Sequence, residues 1–356
     1  MTTPTTNSTE ATRMRARHAG LLIAVALGAT LAVPILLGGN DVLWQTLHFS
    51  ADGYLAMLVV IVTSWLARAI KLHLLLRQLN VRPRFARTLA ISLATDFAFI
   101  STPGGIGGYA ASVYYLRRAG TSVSGAATIT AADQGLDLLF FVLALPLSGL
   151  VLIGSDLPKT LAILGFGSSA VMVTLALGAV LARRRLAAWL FGTNTISARW
   201  PRLQRKQQAL REFVASLQAN ARLLLAGGPV VGCGIFALTA LQWLTRYGVL
   251  WLVLVLLGHR VPFALTMLLQ SLVLHAALWT GLPAGGGGAE LGLSATLAAW
   301  VPATSIATAL LLWRMATLYI CLVAGAVAIA MLARRPKSRS VQLHIAQAMQ
   351  VEESAN

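Results

Sequence analysis

Residues 282–290 read LPAGGGGAE, and a related stretch, TPGGIGG, occupies residues 102–108. Each stretch interrupts an apolar region, 263–300 in the first case and 86–118 in the second. The arms on either side are shorter than the roughly 20 residues that a helix needs to cross a hydrocarbon core about 30 Å thick. Because glycine permits sharp turns and proline disfavours helix continuation, we predict two re-entrant helical hairpins. Broken backbone at that depth requires surrounding protein or a water-filled cavity.

The remainder of the chain has the composition of a membrane protein. Of its 356 residues, 57% are hydrophobic and 11% are charged, whereas a soluble domain carries about 25% charged residues. Six further apolar segments are long enough to span a bilayer: 20–38, 53–76, 122–152, 160–182, 229–257 and 304–332. The predicted fold class is therefore an all-α polytopic membrane protein with six full spans plus two Gly-rich hairpins.

The two ends of the chain are polar and are predicted to lie in the cytoplasm. Residues 1–19 are predicted to be a disordered N-terminus, and 333–356 a tail. The apolar run that starts at Gly20 is interpreted as an uncleaved anchor, because no small-residue cleavage site follows it. The transmembrane domain is thus predicted to cover residues 20–332.

The net charge of +17 is spread between apolar runs and at the chain ends, so we expect no nucleic-acid partner.

The distribution of Lys and Arg predicts the topology. If the hairpins do not cross the membrane, the cytoplasmic side receives nearly all Lys and Arg residues, in the segments 13–17, 71–87, 117–118, 183–185, 197–222 and 334–339. The outer side receives Lys159 and Arg260. This asymmetry follows the positive-inside rule and predicts a bacterial inner-membrane protein with both termini in the cytoplasm. An eight-span alternative would place Arg117 and Arg118 outside.

The chain also contains an internal sequence repeat. The sequence WLAR at 65–68 recurs as WLTR at 243–246, and the two Gly-rich stretches correspond at almost the same offset. An odd number of spans separates the copies, so we predict an inverted repeat of residues 53–152 and 229–332, the plan of many transporters.

The connector between the predicted repeats, residues 186–225, carries an apolar stripe at helical spacing with basic residues around it. This pattern predicts an amphipathic helix on the anionic leaflet. A solvated connector is the alternative.

Seven ionisable residues fall within apolar regions, where each costs about 2.5–3.5 kcal/mol to insert. They are the candidate site residues Arg68, Arg246, Arg314, Asp133, Asp137 and Glu290, together with Asp96; His275 is a further candidate. The alternative for each is a salt bridge that only holds the bundle together. Asp133 and Asp137 lie one helical turn apart, but no third ligand accompanies them, so no metal or other cofactor is predicted. Cys233 and Cys321 are interpreted as packing residues.

The hairpin tips are candidate substrate-binding elements. Their glycines are expected to free backbone N–H groups at the positive start of the following helix, which suits a phosphate or carboxylate. The candidates are Gly104, Gly105, Gly107, Gly285, Gly286 and Gly287. A side chain at Gly105 or Gly285 is expected to clash with the opposing hairpin or to block these N–H groups.

Glu290 falls in the first turn after the second tip. It could pair with Arg314, attract a cationic head group or take up a proton. The guanidinium of Arg314 suits bidentate binding of a lipid phosphate.

Two patterns carry a resemblance to a known family: PGGIGG followed by residues 133–137, and PAGGGGAE followed by LLWR at 311–314. Through them the chain resembles the lysylphosphatidylglycerol synthase transmembrane region, a flippase-like family. The residues that match the family pattern are Pro283, Gly285, Gly287, Glu290 and Arg314. The chain departs from that pattern at Ala284, Gln134 and the pair Gly108 and Tyr109. The resemblance implies translocation of an amphipathic lipid, which is an aminoacylated phosphatidylglycerol in some members and a polyprenyl-phosphate or hopanoid lipid in others. Because the chain stops soon after residue 332, we expect no aminoacyl-transferase domain.

The predicted function is therefore a lipid translocase, not an enzyme, whose partners are its lipid substrate and anionic phospholipids. An intramembrane enzyme that acts on a lipid phosphate, with Asp133, Asp137 and Glu290 as acid–base or metal groups, is the alternative. A scaffold without transport is a third hypothesis, and a homodimer is left open.

Overall fold

The computed structural model describes residues 6–153, 158–191 and 201–334. Every regular element in these ranges is helical. The helices are α1 (Thr6–Gly38), α2 (Asn40–Leu47), α3 (Ala51–Gln78), α4 (Phe85–Ser101), α5 (Ile106–Arg118), α6 (Val123–Ile153), α7 (Thr160–Phe191), α8 (Pro201–Leu225), α9 (Gly228–Leu256), α10 (Phe263–Leu278), α11 (Gly288–Leu297), α12 (Ala303–Arg314) and α13 (Ile320–Ala333). A π-helical turn, Met315–Tyr319, joins α12 to α13.

The spanning helices confirm the all-α polytopic class. Helices α3, α6, α7, α9 and the α12–α13 unit are each long and apolar enough to cross a membrane, and α1 with α2, bent by 105°, can form a sixth span. Helix α1 begins at Thr6, within the segment 1–19 that was predicted to be disordered. The predicted tail lies outside the described residues from position 335 onward.

The two Gly-rich regions form hairpins whose arms pack together, α4 on α5 and α10 on α11. At the base of the first hairpin, the Arg87 guanidinium donates to the carbonyl of Arg118. At the base of the second, Pro262 and Trp300 line one surface pocket. The two ends of each hairpin thus lie close together, and the tips Pro103–Gly105 and Pro283–Gly285 contact one another. That the hairpins are re-entrant in a membrane stays a prediction.

Helices α3 and α9 pack on each other over a large interface and run antiparallel, because Gln78 at the end of α3 lies against Gly227, just before α9. Ser64 Oγ donates to the carbonyl of Gln242 at 3.0 Å, and these positions are separated by 178 residues, the offset of the sequence repeat. A residue that meets its own counterpart is what a two-fold axis produces. The inverted repeat itself stays a prediction.

Charged residues lie between the two larger of the three apolar clusters that form the core. On α3, Met57 belongs to the first cluster and Leu75 and Leu76 to the second, while Arg68 and Lys71 fall between. Helix α6 shows the reverse order, with Ile129 of the second cluster before its two aspartates and Phe140 of the first cluster after them. The charged residues of α3 and α6 therefore lie where both helices pass through the interior of the bundle.

Helix α8 occupies the predicted amphipathic connector and packs on α6. Asn220 Nδ2 donates to Ser124 Oγ at 3.3 Å, and Leu224 of the apolar stripe packs against the second core cluster. This part of the stripe therefore contacts protein, whereas Leu210 is 40% exposed.

Candidate functional site

Six charged side chains from four helices form what we call the ion network: Arg68 and Lys71 of α3, Asp96 of α4, Asp133 and Asp137 of α6, and Arg246 of α9. Three carboxylates face three cations, so the network is neutral as a whole. Neutrality and close pairing offset part of the desolvation penalty of each buried charge.

Asp96 joins the two predicted repeats. One of its carboxylate oxygens contacts the Arg68 guanidinium, and the other lies 3.4 Å from Nη1 of Arg246. These two arginines occupy corresponding positions in WLAR and WLTR, so one carboxylate is held by a residue and its counterpart. The Asp96 side chain is 5% exposed.

Lys71 is the member of the ion network that sequence reasoning missed. It was assigned to the cytoplasmic basic segment 71–87, but its side chain is fully buried. Its Nζ lies 2.7 Å from Oδ1 of Asp133 and 3.0 Å from Oδ1 of Asp137, and Asp137 also accepts a hydrogen bond from Trp243 Nε1 at 2.9 Å. The available signal was the three-residue spacing from Arg68, which places both cations on one face of α3.

Glu290 and Arg314 form a separate buried pair beside the second tip. Arg314 Nε donates to the Glu290 carboxylate, and Nη1 donates to the carbonyl of Ala284 at 3.3 Å. The guanidinium lies over the Trp313 ring, 4.5 Å from its centroid. Of the three roles considered for Glu290, the structure shows the pairing with Arg314.

A cavity of about 140 Å³, which we call the central cavity, separates the ion network from the Glu290–Arg314 pair. Residues from both hairpins and from α9, α12 and the π turn line it: Ile100, Trp243, Arg246, Tyr247, Gln270, Leu274, Ala284, Trp313, Arg314, Thr317 and Leu318. Two guanidinium groups thus line the cavity, whereas the carboxylates that pair with them do not. Its charged lining is cationic, which suits an anion.

Two polar atoms of the Glu290–Arg314 pair lack a hydrogen-bond partner in the part of the chain that the structure describes. They are Nη2 of Arg314 and Oε2 of Glu290, and both are fully buried. Leaving a buried donor unsatisfied costs about 1–3 kcal/mol, and more for a charged group. A shift of the Arg314 side chain that brings Nη2 to an anion in the cavity would remove that cost.

Four of the six tip glycines do not free their backbone N–H groups as expected. Those of Gly105, Gly107, Gly285 and Gly286 donate to acceptors within their own hairpin. None of the six predicted glycines lines the central cavity, while their neighbour Ala284 does. The second tip therefore borders the cavity through Ala284 and not through the predicted glycines.

The expected clash with the opposing hairpin is also wrong. A Cβ at Gly105 would lie 3.1 Å from the Phe99 ring, and one at Gly285 would lie 2.7 Å from Ala277 Cβ. Both neighbours belong to the same hairpin as the glycine, because each tip folds back on its own first arm.

His275 and the two cysteines do not line the central cavity. Nδ1 of His275 is 2.6 Å from the carbonyl of Ser271, and its ring packs on Phe141. Cys233 is exposed and Cys321 is buried.

Helix α1 covers the second tip, which sequence reasoning did not predict. Gly286 lies against the carbonyl of Ala26, and the Tyr319 hydroxyl donates to the carbonyl of Leu27. The first tip has no such cover from the described residues, because Gly104 is exposed and Ile106 is 72% exposed.

Comparison with known proteins gives two matches. A family model described as the lysylphosphatidylglycerol synthase TM region matches residues 19–325, a range that includes both hairpins, the ion network and the central cavity. A UPF0104 membrane protein of Archaeoglobus fulgidus is 22% identical over 322 residues, which cover 87% of this chain and 95% of the relative.

Proposed function

Because the chain belongs to the lysylphosphatidylglycerol synthase transmembrane region family, we propose that it is a lipid translocase. It moves a charged or phosphate-bearing amphipathic lipid between the leaflets of the bacterial inner membrane. The observation that carries this proposal is the central cavity, which is lined by residues of both hairpins and by two guanidinium groups.

The size of the central cavity suits a head group. About 140 Å³ corresponds to several water molecules, which is enough for a phosphate and too little for acyl chains. The head group would cross between the hairpins while the acyl chains stay in the bilayer.

A bound phosphate would not have to break the existing ion pairs. Arg314 pairs with Glu290 through Nε, and its Nη2 makes no hydrogen bond that an anion would have to replace. Arg246 contacts Asp96 through Nη1, and its side chain is 19% exposed. Binding therefore adds charge-assisted hydrogen bonds to two arginines that are already held in place.

The same pairing favours translocation over catalysis. Each carboxylate considered for acid–base chemistry faces a cation: Asp133 and Asp137 face Lys71, and Glu290 faces Arg314. A general base has to reach a substrate proton, and these carboxylates are directed at cationic side chains instead.

A lipid-scrambling assay tests the proposal. The full chain is reconstituted in liposomes that contain fluorescent phosphatidylglycerol, and dithionite quenching reports the lipid that reaches the outer leaflet. A hydrogen bond to a charged group contributes about 1.5–3 kcal/mol, so Arg314→Gln and Arg246→Gln should each slow lipid movement by about tenfold or more.

The matched control is Arg77→Gln, which removes an exposed arginine at the end of α3 and should leave the rate unchanged. Insertion and melting temperature are measured for every variant. Wild-type rates in stably inserted Arg314→Gln and Arg246→Gln would rule out the central cavity as the path of the head group.

A further inference from the structure

A second cavity lies on the open flank of the first hairpin, and we call it the α5 groove. It has a volume of about 780 Å³ and follows one face of α5 from Tyr109 to Arg118 and on to Thr121. It shares no lining residue with the central cavity. The groove therefore has to be explained separately.

The end of the groove farthest from the tip is cationic. Arg117 is exposed and has no ion-pair partner in the described residues, and Arg118 Nη1 donates to the Tyr114 hydroxyl at 3.4 Å. No Asp or Glu occurs in residues 97–132, and Asp96, the carboxylate of this hairpin, is paired with Arg68 and Arg246. Two adjacent arginines suit the oxygens of a phosphate.

The wall of the groove nearer the tip is mainly apolar. Ala110 and Val113 line it, and the exposed side chain of Ile106 continues the same arm. From Ile106 to Arg117 a helix rises about 17 Å, a distance comparable with that over which an acyl chain extends into one leaflet. The groove thus presents a phosphate site and an acyl-chain wall in the order that a phospholipid requires.

The inner end of the groove reaches the edge of the ion network. The Tyr109 hydroxyl donates to Gln134 Oε1 at 3.3 Å, next in sequence to Asp133. The Tyr109 ring packs on Phe99, over which the Arg68 guanidinium lies at 5.8 Å. A head group that leaves the arginines along α5 would therefore meet polar groups before it reaches the tips.

We propose that the α5 groove is a loading site for an anionic glycerophospholipid of the bilayer, with Arg117 and Arg118 as phosphate ligands. This proposal rests on the translocase function and assigns it a substrate class and a side of loading. The corresponding positions in the second hairpin are Leu297 and Ala298, which carry no charge. Loading accordingly occurs from the leaflet at the base of the first hairpin.

Photo-crosslinking tests the site directly. The full chain carries p-benzoylphenylalanine at Val113, or at the exposed Tyr114 should the first variant fold poorly, in nanodiscs of either phosphatidylglycerol or phosphatidylcholine. Both lipids carry a phosphate, but phosphatidylcholine also carries a quaternary ammonium group, which the two arginines repel. Crosslinks to phosphatidylglycerol should therefore exceed those to phosphatidylcholine by about tenfold. Arg117→Gln with Arg118→Gln should abolish this preference.

The matched control is Arg77→Gln with Arg82→Gln, which removes two exposed arginines outside the groove and should preserve the preference. Equal crosslinking of the two lipids, or an equal loss in both double variants, would overturn the loading site in favour of general attraction to anionic lipid.

The outcomes for the groove and for the translocase are distinguishable. Lipid movement without preferential crosslinking of phosphatidylglycerol would overturn the α5 groove alone. Preferential crosslinking in a chain that moves no lipid would overturn the translocase alone. Arg314→Gln should keep the crosslinking preference while it slows lipid movement, because Arg314 does not line the groove.

Discussion

Lys71 balances two carboxylates within the bundle. Its ammonium group is the nearest cation to both Asp133 and Asp137, so Lys71→Gln leaves the ion network with three carboxylates and two cations. Removal of one partner from a buried ion pair costs about 3–5 kcal/mol. We expect Lys71→Gln to lower the melting temperature of the purified chain markedly, as measured by thermal unfolding in detergent micelles.

A second substitution separates charge balance from simple packing. Lys71→Gln combined with Asp137→Asn restores neutrality, so part of the lost stability should return. Lys159→Gln, which removes an exposed lysine, is the control and should have little effect. A double variant no more stable than Lys71→Gln alone would show that charge balance is not what Lys71 contributes.

These residues also show what the sequence can and cannot predict at this scale. Pairing of Glu290 with Arg314 was among the predicted roles, because each is an isolated charge in an apolar region close to the same tip. Lys71 was placed at the cytoplasmic end because basic residues follow it from Arg77 onward. Its burial depends on the rotation of α3 against α6, and one-dimensional spacing does not fix that rotation.

At the scale of the elements, the two hairpin tips share one backbone conformation. Gly104 and Ala284 have φ values of 59° and 55°, and Gly105 and Gly285 follow with 73° and 63°. Left-handed backbone costs a residue with a Cβ about 1–2 kcal/mol. The second tip therefore carries strain at Ala284 that the first tip avoids at Gly104.

This difference gives a reciprocal pair of stability predictions. Ala284→Gly should stabilise the chain, and Gly104→Ala should destabilise it, each by about 1 kcal/mol. Gly104 is suited to the test because nothing lies within 4 Å of a Cβ built there, so the change reports backbone strain alone. Denaturant titration of the two variants provides the measurement.

Gly105→Ala is the comparison, because it adds contact with the Phe99 ring to the same left-handed strain and should cost more than Gly104→Ala. Opposite-signed effects at Gly104 and Ala284 are required; a loss of stability at both would mean that the Ala284 side chain contributes packing that exceeds its strain.

The hairpins were predictable because proline, glycine and arm length are local properties of the chain. The cover over the second tip was not, since it depends on where α1 packs. The contacts of Ala26 with Gly286 and of Thr30 with Tyr319 join residues that are 260 and 289 positions apart. The π turn that carries Thr317 into the central cavity has no sequence signal of its own.

At the scale of the whole molecule, the two halves differ in access. The second tip is closed by α1 and by the Glu290–Arg314 pair. The first tip is open and adjoins the α5 groove, and Ala110 stands where an acid follows the glycines in the second hairpin. Because the first tip is open and the second is covered, we expect a substrate path that starts at the first hairpin and ends at the central cavity.

Such a path requires the hairpin bases to face opposite sides of the membrane. Helices α3 and α9 run antiparallel, and each is followed by a hairpin that returns to its own starting side. Two bases at opposite ends of the bundle are the consequence. With the positive-inside distribution of Lys and Arg, the base at Arg118 is expected in the cytoplasm and the base at Arg260 and Trp300 outside.

Cysteine labelling tests this topology in a background in which Cys233 and Cys321 are replaced by alanine. Arg118→Cys and Arg260→Cys are both at exposed positions, so differences in labelling report the side and not burial. In intact spheroplasts an impermeant maleimide should label residue 260, whereas residue 118 should react only after lysis. Position 300, beside Arg260 in one surface pocket, should behave like position 260. Labelling of residues 118 and 260 from the same face would mean that one hairpin crosses the bilayer, and the inverted repeat and the one-sided loading path would then both fail.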